Sequence, residues 1–174
     1  MSWSSRDAFN ALEDDLFALS RYIAFQEDNF CVYSLELANL LLRIGSEVEV
    51  FTKACMHGSC EDECNKKTNI HDYVSFWTSD NRFKPNIRIR LTSCDLLFSP
   101  WQSLESKERP PWWISYNSVK HNRLDAYRDA NLGNVLNAAA GFFYLLLFKM
   151  EIFDFMRVAG SEPCRGLRLF RTVD

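Results

Sequence analysis

Leu37, Leu41, Ile44, Val48, Phe51 and Cys55 follow one another at alternating steps of four and three residues. That spacing stays on one side of an α-helix and on neither side of a strand, so it commits a long stretch of chain to one amphipathic helix that other elements must cover. Asp28 or Asn29 is the expected cap, and the helix is expected to run to about residue 56. Leu12, Leu16, Leu19 and Ile23 repeat the pattern in a first helix over residues 8–26, and Ile70, Tyr73, Val74 and Trp77 predict a short one over 70–78. The last long helix is expected over residues 131–155. There Gly133, Ala138, Ala139, Ala140 and Gly141 admit a close neighbour, while Phe142, Phe143, Leu145, Leu146 and Phe148 supply bulk. So much apolar surface on one helix calls for burial on more than one side, in a bundle or in a dimer interface.

Between these helices, Asn86–Leu91 alternates apolar and basic residues, and Thr92–Asp95 separates it from Leu96–Trp101. This predicts a small β-hairpin over residues 86–101, with Arg88 and Arg90 on one solvent-facing side. The expected fold is therefore all-α, a four- to five-helix bundle with a small inserted β-hairpin. A single domain spans residues 1–158, and a loosely attached C-terminal tail covers 159–174. The start of the chain lacks the basic and apolar regions of a secretory signal, and Val135–Phe148 is interrupted by Asn137 and is short for a bilayer. Cytoplasmic residence with mostly reduced cysteines, and no membrane partner, is the resulting expectation. Charge divides unevenly: residues 1–64 carry 4 Lys+Arg against 12 Asp+Glu, a net −8, and residues 65–174 carry 16 against 11, a net +5. Either the basic part meets RNA or another polyanion, or the two parts neutralise each other in the fold.

The chemistry concentrates in residues 112–123, WWISYNSVKHNR, which follow Pro110 and Pro111. Proline suits a first helical turn, where its missing N–H costs nothing. Helical spacing places Tyr116, Lys120 and Arg123 on one stripe and Asn117 with His121 on the adjoining one. An imidazole beside an amide, a phenol and two cations can grip a phosphodiester and move a proton on it. The segment holds few aliphatic residues, which argues against packing as its main purpose. On the preceding long helix, Glu36, Asn39, Arg43 and Glu47 share a polar side. It is either solvated or, through Arg43 and Glu47, part of a shared groove.

Other chemistries find little support. Cys55, His57, Cys60 and Cys64 lie within ten residues, but structural zinc ordinarily needs a second pair of ligands from a separate segment. Without one from Cys94 or His71 these are bystander thiols, and no metal site is expected. The chain has no phosphate-binding glycine loop, no Gly-x-Ser-x-Gly elbow and no His-Glu-x-x-His.

The stretch WWISYNSVKHNR followed by ANLGNVLNAAAGFFYLLL resembles the C-terminal half of HEPN-type domains, helical proteins of prokaryotic defence and toxin–antitoxin systems. Their motif is an arginine, a polar residue that is often asparagine, a short spacer and a histidine, on a helix at a dimer interface. Asn117 and His121 match the polar residue and the histidine. Tyr116 stands in the arginine position, and Arg123 stands where active members sometimes carry a tyrosine. The motif here is thus Tyr-x₄-His-x-Arg.

The resemblance implies a homodimer directed at RNA. In its catalytic form it is a metal-independent endoribonuclease with no cofactor. His121 would act as general base or acid on the ribose 2′-hydroxyl, Asn117 as its orienter, and Arg123 and Lys120 as charge stabilisers, leaving a 2′,3′-cyclic phosphate. Tyr116, Lys120 and Arg43 would line the substrate. Loss of the arginine is the usual mark of a member that binds without cutting. That alternative is a non-catalytic module for RNA, a nucleotide or a protein partner such as an antitoxin or defence component.

Overall fold

The computed structural model describes residues 4–57, 69–156 and 169–173. Its described residues form five α-helices, α1 (Ser5–Leu19), α2 (Leu35–His57), α3 (Ile70–Thr78), α4 (Pro111–His121) and α5 (Leu132–Met156). Three short strands join them, β1 (Arg88–Leu91), β2 (Leu96–Phe98) and β3 (Phe170–Val173). The protein is mostly helical, as its periodicities predict.

Local chemistry sets the helix ends. Ser4 and Asp7 form a reciprocal capping box at the start of α1, and Asn69 and Asp72 form another at the start of α3. The first helix stops at Leu19 rather than near residue 26, and the chain then turns, with Ile23 N–H donating back to the Leu19 carbonyl at 3.1 Å. Nor does α2 begin at Asp28 or Asn29. Residues Glu27–Asn29 form a 3₁₀ turn, Ser34 caps α2 through the Leu37 N–H at 3.1 Å, and Tyr33 bridges to Asn131. That bridge holds the chain extended just before α2 and delays the helix.

The largest correction concerns the tail. Residues 170–173, expected to be loosely attached, form β3, which pairs antiparallel with β1 from Arg88↔Val173 to Leu91↔Phe170. β2 pairs on the other side of β1, giving the order β2-β1-β3. The predicted hairpin is therefore two-thirds of a three-stranded sheet whose third strand comes from the far end of the chain. Ile89 and Leu91 face the core while Arg88 and Arg90 face outward. A buried carboxylate fastens this arrangement: Glu13 of α1, 1 % exposed, accepts the Leu169 N–H at 2.8 Å.

α5 is the central element. It packs against α1, α2, α4 and strands β2 and β3, and Val135, Leu136, Phe142 and Leu145 are fully buried within the one chain. For these residues the bundle itself supplies the cover. By length and composition Leu132–Lys149 is apolar enough to cross a membrane, contrary to the shorter apolar run anticipated, but 72 % of that segment is buried inside the protein. It is a core helix.

Candidate functional site

Pro110 precedes α4 and Pro111 opens it, as the sequence suggests. The purpose of α4 is different from that expected. Trp112, Trp113, Tyr116 and Val119 are all buried, so the helix is a core element that uses aromatic rather than aliphatic bulk. Trp112 meets Trp101 edge-to-face at 5.3 Å and Trp113 meets Tyr116 at the same separation. The indole N–H of Trp112 donates to the Pro100 carbonyl at 2.9 Å, which satisfies its one buried donor.

Tyr116 lies against Gly45 of α2, where a Cβ would collide with the phenol ring. This close approach brings its hydroxyl to Glu49, one turn further along α2, to which it donates at 2.9 Å. Lys120 donates to the same carboxylate oxygen at 2.9 Å and to the Tyr116 hydroxyl at 3.0 Å, with its ammonium 5.1 Å from the ring centroid. Burial, reinforced by the Glu49 carboxylate, pushes the Tyr116 phenol above its ordinary range. For Lys120 burial works the other way, yet the hydrogen bonds to Tyr116 and Glu49 outweigh it and hold the ammonium charged. At neutral pH the cluster is therefore a neutral phenol between a carboxylate and an ammonium. Glu49 was not picked out from the sequence, and no local spacing ties it to a residue 67 positions away.

The remaining residues of the motif disperse. Asn117 is half-buried, and its amide donates to the Trp113 carbonyl at 3.0 Å, within its own helix. His121 is exposed at the end of α4, and its side chain makes no hydrogen bond or ion pair among the described residues. The chain leaves the helix at Asn122, which frees Arg123 from the direction a regular helix would impose. Arg123 uses that freedom to donate to Asn39 of α2 at 3.1 Å. Arg43 pairs with Asp15 of α1 at 2.6 Å. Lys120, His121 and Arg123 thus share one end of α4, whereas Tyr116, Lys120 and Glu49 form the bonded cluster behind it.

Of the four cysteine-loop ligands, Cys55 is buried on α2, and burial pushes its thiol up to about 11. Cys60, Cys64 and the His57 side chain lie outside the described residues. Among the described residues no group of three or more His, Cys, Asp or Glu is placed to hold a metal ion. No protein-family model, curated protein or solved structure matches this chain.

Proposed function

We propose that this chain is a cytoplasmic HEPN-like module directed at RNA that binds without cutting, and that it works as a homodimer. One observation carries the reading. At the position where the resembled motif has its phosphate-holding arginine, Tyr116 is 1 % exposed and already bonded to Glu49 and Lys120. A buried neutral phenol offers a phosphate no charge, and the carboxylate beside it repels one. His121 is likewise not aimed by a third group, which general acid–base chemistry ordinarily requires. Binding asks less of the site, because exposed cations at the end of α4 need only be accessible.

The second reading, a metal-independent endoribonuclease, draws on the gathering of Lys120, His121 and Arg123 at one exposed helix end. A second copy, with or without a protein antitoxin, would then have to complete the site. Purified chain incubated with mixed RNA in chelator separates the two. The binding module shifts RNA in a gel and leaves it intact, and His121→Ala changes nothing in RNA integrity. Fragments ending in 2′,3′-cyclic phosphate, absent with His121→Ala, would replace the first reading by the second.

A further inference from the structure

The sheet has a second cationic surface, remote in sequence from α4. Arg90 of β1 stands directly opposite Arg171 of β3, so both side chains leave on the same face, and alternation adds Arg88 to it. Two residues along a strand place Arg88 and Arg90 about 7 Å apart, and the pair across β1 and β3 is separated by about 5 Å at the Cα atoms. Three guanidinium groups therefore rise from one small patch. Asp95, itself 80 % exposed, pairs with Arg90 at 3.0 Å. Arg88 and Arg171 have no hydrogen bond or ion pair from their side chains among the described residues. Arg90, Thr92, Asp95, Arg171, Thr172 and Val173 line an open concavity of about 510 Å³ over this face.

Packing does not account for the arginines. The inner face, with Ile89, Leu91, Phe98 and Phe170, does the burying, and like charges directly opposite each other weaken an antiparallel pair. An anion lying between them removes that cost. We propose that Arg88, Arg90 and Arg171 form a phosphate-binding site, for the backbone of RNA or for a short polyphosphate chain. The planar fork of arginine matches phosphate oxygens two at a time. The aromatic residues of the three strands, Phe98 and Phe170, point inward, so the site grips phosphates and offers bases no stacking surface. The site stands whether or not the end of α4 binds RNA.

Fluorescence anisotropy with a short labelled single-stranded RNA, and with inorganic tripolyphosphate as competitor, tests the proposal. The comparison is between wild type, the double variant Arg88→Ala/Arg171→Ala, and the double variant His121→Ala/Arg123→Ala. Removing the two sheet arginines should cost roughly tenfold or more in affinity at low salt and flatten the slope of log affinity against log salt by about 1.4. Removing the two α4 residues should leave the sheet contribution in place, so the two surfaces are told apart. Displacement of RNA by tripolyphosphate would identify a small polyphosphate as a sufficient ligand, and retention of RNA would identify the nucleic-acid backbone. A ligand that binds should raise the melting temperature of wild type by more than that of the sheet variant, which itself should melt no lower than wild type. Wild type that binds neither ligand, or a folded sheet variant that binds both unchanged, would overturn the site.

Discussion

A methyl group at residue 45 would fall on the Tyr116 ring, so only glycine lets α4 lie this close to α2. An exposed helical Gly→Ala change ordinarily stabilises by about 1 kcal/mol. Here overpacking opposes it at about 1–3 kcal/mol, and because the obstacle is a buried ring rather than a flexible chain end, the penalty wins. Gly45→Ala is therefore expected to lower stability in chemical denaturation, with Tyr116→Ala in the same chain relieving part of the loss. The cluster that this contact creates also predicts a pH response. Tyr116 and Lys120 both bind their protons more tightly in the folded chain than in the unfolded one. Their contribution is complete below about pH 10, the ordinary value for an unfolded tyrosine, and is lost as pH rises through the raised folded values. The melting temperature of wild type should fall more steeply above that pH than that of Tyr116→Phe, and parallel curves would remove Tyr116 from the account.

At the scale of elements, local signals were legible and distant ones were not. Period-3.6 stripes found the helices, and the alternation of Arg88, Ile89, Arg90 and Leu91 found β1 with its correct faces. β3 escaped because four residues, Phe170–Val173, carry too little pattern to announce a partner about eighty positions upstream. The packing role of α4 is hidden in the sequence because its bulk is mainly aromatic and carries polar handles, although Trp112, Trp113, Tyr116 and Val119 lie at steps that share a face. Of the candidate site, the exposure of His121 on a polar side of α4 was readable, but its place at the helix end was not, and its neighbours' bonds to Glu49 and Asn39 depend on how α2 and α4 pack. Glu13 gives β3 a specific dependence. Glu13→Ala leaves the Leu169 N–H without its buried acceptor, at about 1–3 kcal/mol. Amide exchange should then accelerate across Leu169–Val173 while α2 stays protected. Glu13→Gln, whose amide oxygen can accept the same bond, should retain most of that protection, and equal loss in both variants would show that charge rather than acceptance holds the strand.

For the whole molecule, the burial of α5 inside one chain changes the basis on which a dimer is expected. Phe142, Leu145 and Leu136 have no apolar surface left to share, so this part of α5 supplies no interface. Two of the exposed apolar side chains lie near the end of α4: Leu124, 94 % exposed, follows Arg123, and Leu35, 60 % exposed, lies one turn before its partner Asn39. A two-fold contact over this region would cover both leucines and bring two His121 side chains toward one cleft, which is the arrangement the HEPN-like reading needs. Because both leucines are outside the core, replacing them tests the interface without attacking the fold. Light scattering at micromolar concentration is expected to give a dimer mass for wild type and a monomer mass for Leu35→Asp/Leu124→Asp, with unchanged circular dichroism. If the variant dimerises as wild type does, the contact lies elsewhere and the two His121 side chains do not share a cleft through this surface. If wild type is itself a monomer, the cations at the end of α4 must act singly, and the paired-site ribonuclease reading fails with the dimer.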